Sequence, residues 1–159
     1  MLFLLPLLLC LGPLHAEYLH IGQSFKTHDC ASCAESLRKK LARDPGVESV
    51  NVDLRKNVAA FDLKPGNKIR LRRIRDLVEQ SGFEPESAQV VVLGTASVER
   101  GIVTLGIAGT DDSIRLRDPE ARMREFITRK VEIKGVVERV MSRGARIDIL
   151  DVREARLVK

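Results

Sequence analysis

Tryptophan is absent, tyrosine occurs once, and aromatic residues make up only 4% of the 159-residue chain. Cores must therefore be built from Val, Ile, Leu and Ala, and the aromatic platforms on which single-stranded nucleic acids stack are missing. Histidine and cysteine occur three times each, and neither is found from residue 89 onward. With its acids spread through turns and strand edges, that second half presents no catalytic constellation. Basic residues are missing at the start, where no Lys or Arg precedes Lys26. Further on, Arg is scattered through both halves, and the net charge of +5 describes a mildly basic solvated surface rather than a nucleic-acid footprint. Internal repeats, low-complexity segments and disorder-type composition are absent as well.

Leu2 to Leu14 is almost continuously apolar, a run of about 13 residues that suits a signal-peptide core and is too short to span a bilayer. Ala16 places a small residue before a cut at Glu17, so residues 1–16 are expected to be removed. Cys10 suggests a lipoprotein, but Leu9 is bulkier than lipid attachment accepts, and Cys10 is assigned to the discarded leader. The expected location is the periplasm or another exported compartment, with no membrane span after leader removal and no nucleic-acid partner. Cys30 and Cys33 then remain, at C-x-x-C spacing, as a redox disulfide or a metal site.

Tyr18 to Phe25 alternates as a strand, and Ala31 to Arg43 reads as a helix with Ala34, Leu37 and Leu41 on one face. Asp44-Pro45-Gly46 ends it. Val50, Val52 and Leu54 mark a strand, Arg55-Lys56-Asn57 a tight turn, and Ala59, Phe61 and Leu63 the return strand. Leu71, Ile74, Leu77 and Val78 form a second helix, closed by Gly82 in a left-handed cap, and Phe83 begins a short last strand. Arg70, Arg72, Arg73, Arg75, Lys64 and Lys68 make this helix basic, with solvation as the default role. The order β-α-β-β-α-β is that of a ferredoxin-like, split βαβ sandwich.

A short linker, roughly Glu84 to Ala88, leads to a second unit over residues 89–159. Its strands are expected at Gln89–Glu99, Ile102–Ala108 and Ile114–Leu116, the last two joined by a turn at Thr110–Ser113. Pro119 to Thr128 has helical spacing, with Met123, Phe126 and Ile127 on one face. Strands at Lys130–Val140 and Arg146–Val152 follow. Three strands, a helix and two strands is the element order of a small five-stranded OB-like barrel. The fold class is thus α+β, with a ferredoxin-like unit over 17–85 and an OB-like unit over 89–159.

Thr27-His28-Asp29-Cys30-Ala31-Ser32-Cys33, then Leu37, Leu41, Gly46-Val47-Glu48-Ser49-Val50-Asn51-Val52-Asp53, Phe61 and Ser81-Gly82-Phe83, resembles the heavy-metal-associated domain family from Tyr18 to about Pro85. That family includes copper chaperones, a mercury-binding protein and the N-terminal domains of metal-pumping P-type ATPases. The resemblance implies that Cys30 and Cys33 are metal ligands on a strand-to-helix loop. Cys33 falls in the first helical turn, where the positive helix end favours thiolates, and two thiolates suit linear Cu(I) or half of a tetrahedral Zn(II) site.

The family commonly has Gly-Met just ahead of the first cysteine, where this chain has Thr27 and His28. His28 is either a third ligand or the residue that fills the Met position. Asp29 either completes a site for Zn(II), Cd(II) or Pb(II), as in the pumps for those ions, or caps the helix. Phe83 shields the loop or packs the core. The expected role is a non-enzymatic heavy-metal carrier, scavenger or sensor, whose partners are the ion and a metal transporter or other exported protein. A thiol–disulfide redox module and an interaction protein that has lost its metal are the alternatives.

Overall fold

A computed structural model describes residues 17–26, 30–107, 113–118 and 122–158. The leader and the turn at 110–112 lie outside them. The first half holds β1 (Glu17–Phe25), α1 (Ala31–Ala42), β2 (Val47–Asp53), β3 (Val58–Leu63) and α2 (Leu71–Glu79), as the spacing of apolar residues predicts. Leu37 and Leu41 on α1, and Leu71, Ile74, Leu77 and Val78 on α2, pack with Ile21, Phe25, Phe61 and Leu63 of the sheet. Each such side chain contributes about 1.5–3 kcal/mol on full burial. After α2 the chain reverses through Gly82 at φ +90, where a left-handed backbone lets Phe83 N–H return to the Val78 carbonyl at 3.2 Å.

β4 runs from Pro85 to Glu99 in one piece. The short strand expected after Phe83, the expected linker and the strand expected from Gln89 are therefore a single element. An apolar residue at nearly every second position keeps one face buried along much of it, so the alternation never breaks. Gln23 binds its start, donating from Nε2 to the carbonyls of Glu86 at 3.1 Å and Ser87 at 3.2 Å.

The second half contributes β5 (Ile102–Gly106), β6 (Ser113–Arg117), a short 3-10 helix (Arg122–Phe126), β7 (Lys130–Ser142) and β8 (Ala145–Leu157). The α-helix expected over 119–128 is absent from the described part of that stretch. Asp118 accepts a hydrogen bond from Met123 N–H at 2.6 Å, and Thr128, at φ +66, gives its N–H to the Ala96 carbonyl at 2.8 Å. Both contacts draw the backbone away from an α-helical ladder. Met123 still reaches the core, with Phe126 and Ile127 packed partly against it.

The strand order is β2-β3-β1-β4-β5-β6-β8-β7, and β4 also pairs with β7. β2, β3, β1 and β4 are antiparallel and, with α1 and α2, make the expected α+β unit. The pairings β4–β5, β5–β6, β6–β8, β8–β7 and β7–β4 return to their starting strand, with β6 and β8 parallel. Ala88 to Leu93 is hydrogen-bonded on both edges, to β1 and to β7. One buried cluster runs through both halves. Among the described residues no helix is long and apolar enough to cross a membrane.

Arg75 departs from the solvated role expected of the basic helix. It shares the buried face of α2 with Leu71, Ile74 and Val78, is 1% exposed, and its Nη1 meets Asp148 Oδ1 of β8 at 2.5 Å.

Candidate metal centre

The loop between β1 and α1 is fixed at its base. Lys26 N–H donates to the Glu84 carbonyl at 2.9 Å, and Lys26 Nζ pairs with Glu84 Oε1 at 2.6 Å. Directly beneath, Phe25 and Phe83 place their ring centroids 4.5 Å apart, both buried. Phe83 therefore packs the core under the loop. The Lys26–Glu84 pair was not legible in the sequence, because nothing local links the two positions.

Cys30 occupies the N-cap of α1, and its Sγ accepts the Cys33 N–H at 3.1 Å, while its carbonyl accepts from Ala34 N–H at 3.1 Å. Ser32 Oγ lies 3.4 Å from the same sulfur. Cys30 and Cys33 are joined as a disulfide, with Cα atoms 5.2 Å apart, and Cys33 is packed against the core. The structure thus brings together the two cysteines singled out by the sequence. His28 and Asp29, the other two candidate ligands, lie outside the described residues.

The first turn of α1 carries no acidic residue to compensate its positive end. Glu35, further along the helix, is engaged elsewhere. Arg38 donates to it from Nε at 2.8 Å and from Nη2 at 2.7 Å, and Lys39 Nζ lies 3.6 Å away. The hydrogen bonds from Arg38 lower its pKa to about 2. Opened by reduction, the pair offers two soft sulfurs one helical turn apart, beside unpaired backbone N–H groups. That donor set fits a soft or borderline ion. Among the described residues no cluster of three or more His, Cys, Asp and Glu gathers to add further ligands.

On the solvent side of the sheet, His20 Nδ1 lies 2.7 Å from Asp62 Oδ1, and Ser49 donates to Asp62 Oδ2 at 2.9 Å. These hydrogen bonds, the one from His20 first, hold the Asp62 carboxyl below its usual range. The serine meets the carboxylate rather than the imidazole, so this cross-strand trio lacks the nucleophile–base contact of a hydrolytic site.

No curated protein matches the chain. A solved structure described as "Crosstalk between Cu(I) and Zn(II) homeostasis" is 28% identical, covering 45% of this chain and 96% of its own, with a TM-score of 0.37. A yeast copper transporter domain is 18% identical over 42% of this chain and 90% of its own, TM-score 0.39. A copper binding domain from a P-type ATPase is 28% identical over 45% and 92%, TM-score 0.38. The heavy-metal-associated domain family matches residues 27–84, the stretch that holds the cysteine loop, α1, the β2–β3 hairpin and α2.

Proposed function

We propose that this protein is an exported heavy-metal-binding protein that holds its ion between the reduced thiolates of Cys30 and Cys33 and acts as a carrier, scavenger or sensor rather than as an enzyme. The observation that carries this reading is the placement of the pair. Cys30 caps α1, Cys33 lies one turn on, and both sit inside the stretch that matches the heavy-metal-associated domain. The candidate ions are Cu(I), for two sulfurs alone, and Zn(II), Cd(II) or Pb(II), for sulfurs completed by Asp29 or His28. A partner that gives or takes the ion, such as a metal transporter, would carry soft ligands of its own, so that the ion passes by ligand exchange.

The closed succession of pairings from β4 through β5, β6, β8 and β7 back to β4, with the 3-10 helix between β6 and β7, supports an OB-like barrel for the second unit. The apolar run before Ala16 supports export.

A second reading draws on one observation, the disulfide between Cys30 and Cys33. In it the pair cycles between dithiol and disulfide. Titration of the fully reduced, leaderless protein with Cu(I) and Zn(II), followed by native mass spectrometry, tests the first reading and expects one ion per chain. A reduced protein that binds no ion sinks it. Turnover on a thiol substrate, at a reduction potential well above that of a structural disulfide, would then favour the second.

A further inference from the structure

Away from the cysteine loop, a cleft of about 810 Å3 separates the start of α2 from β5, β6 and the two hairpin turns at that end of the second unit. This volume lies within the roughly 300–1,000 Å3 of small-ligand sites. Its depth is apolar, with Tyr18, Leu71, Ile107 and Ile114 all buried. Its rim is cationic. Arg72, Arg100, Arg115 and Arg143 line it, and none of these four has an ion-pair partner among the described residues.

Among the described residues the acids do not offset them. Only Glu99 and Asp148 line the cleft among the described residues. Asp148 is held by Arg75 Nη1 at 2.5 Å and approached by Arg139 Nε at 3.5 Å. Arg75 is buried behind that wall, where its charge and that of Asp148 offset each other, and its Nε and Nη2 have no hydrogen-bond partner among the described residues. The N-terminus of α2 also lines the cleft, through Leu71 and Arg72, and it has no acidic residue in its first turn and no side-chain cap. Its first N–H groups and positive helix end therefore face the same space.

The two turns supply an independent observation. β4 returns to β5 through Arg100-Gly101, and β7 to β8 through Arg143-Gly144, both two-residue hairpin loops. Arg100 has φ +51 and Arg143 φ +48. Two-residue loops with positive φ at both central positions favour Asn, Asp or Gly at the first, because Gly has no Cβ to crowd the following carbonyl and the short polar side chains of Asn and Asp hydrogen-bond locally. Arginine thus stands twice at a position that backbone energetics would give to asparagine, and both copies line one cleft.

We propose that this cleft binds a small, multiply charged oxyanion. Apolar atoms of the ligand would rest on the buried floor, and its oxyanion groups would be taken by the planar forks of Arg72, Arg100, Arg115 and Arg143. Arginine recognises phosphate and carboxylate oxygens through the same paired N–H donors, so phosphate and polycarboxylate share this chemistry. The site is composite, since α2 comes from the metal-binding half and the turns from the other. It requires no metal at Cys30 and Cys33.

The test is calorimetric titration of the full chain with tripolyphosphate and, separately, with citrate at an ionic strength of about 0.15 M, where diffuse surface attraction is screened beyond roughly 8 Å. Saturable one-to-one binding of either probe supports the proposal, and the tighter probe names the source of the oxyanion. Arg100→Asn and Arg143→Asn are each expected to weaken binding about tenfold or more. Both should leave the unfolding temperature unchanged or raise it, because asparagine suits the turn better. Arg124→Asn, on the surface away from the cleft, should bind like the parent. The proposal is overturned if neither probe binds, or if the turn variants bind like the parent. It also fails if Arg124→Asn weakens binding as much as they do, or if a single-stranded oligonucleotide binds more tightly per phosphate than tripolyphosphate.

Discussion

Arg75 of α2 and Asp148 of β8 meet at 2.5 Å across the junction of the two halves, the guanidinium 1% exposed and the carboxylate 29%. The two partners are not equivalent. Asp148→Ala leaves a buried charge with its last strong acceptor gone, which should cost about 3 kcal/mol, as breaking buried pairs does. Arg75→Met removes the charge, keeps an apolar stem and leaves Asp148 beside Arg139, so the loss should be about 1 kcal/mol. Urea unfolding of both variants checks the order, and a larger loss for Arg75→Met contradicts this account.

Removing either cysteine, as Cys30→Ser or Cys33→Ser, should abolish ion binding by the reduced protein whichever ion is offered. Asp29→Ala separates the ions. If the carboxylate is a ligand, affinity for Zn(II), Cd(II) or Pb(II) should fall at least as far as the roughly 10- to 100-fold seen on losing an outer-shell partner, with Cu(I) nearly unchanged. Because Cys30 is the N-cap, the hydrogen bond from Cys33 N–H survives this change. Equal binding of divalent ions by parent and variant in competition titrations would remove Asp29 from the ligand set.

Glu35 should titrate far below its neighbours. The hydrogen bonds from Arg38 bring its pKa from the ordinary 4.5 to about 2. A carboxyl lowered on folding adds stability above its unfolded pKa, and loses it as pH falls through the folded value. The contribution of the pair to α1 should therefore persist at neutral pH and decline between about 4.5 and about 2. Both side chains are nearly half exposed, so salt should weaken it. Carboxyl NMR shifts followed with pH measure this, and an ordinary titration near 4.5 would contradict the geometry.

Two glycines should fail for different reasons. Gly135 lies at the register shift between β7 and β8, where an added Cβ would overlap the Asp151 carbonyl and come within 2.7 Å of Leu150 Cδ1. Gly135→Ala should cost about 3 kcal/mol, the upper end of overpacking effects. Gly82 has open space around it but φ +90, so Gly82→Ala should cost about 1 kcal/mol through its backbone alone. Thermal unfolding of the pair tests the order.

The elements legible in the sequence were those whose burial shows as local period. Leu37 with Leu41, and Ala59-Phe61-Leu63, needed no tertiary information. The C-x-x-C pair was legible because its flanks carry a family pattern. Arg75 was hidden by composition, since five basic neighbours suggested a wet helix. Its spacing from Leu71, Ile74 and Val78 was the signal that it faces inward. The 3-10 segment was misread because Met123, Phe126 and Ile127 fit a helical face, whereas the hydrogen bonds to Asp118 and Ala96 that redirect it come from flanking and distant residues. Parallel pairing of β6 with β8 joins segments with no local sequence relation, so only the order of the elements, three strands, a helix and two strands, pointed to the closed succession.

The six residues from Ala88 to Leu93 serve as an inner strand for both halves at once. A joint of this kind has no axis to swing about, because rotation would break backbone ladders on both edges together. The Cys30–Cys33 turn of α1 and the arginine-lined cleft therefore keep a fixed separation and bearing, and a body touching both would meet them as one rigid template. Heating should reveal the same fact as a single calorimetric transition, with neither half melting ahead of the other. A gene cut at Ser87 would strip β1 of its β4 partner, and the cysteine-bearing fragment would carry a raw sheet edge open to pairing with its own copies.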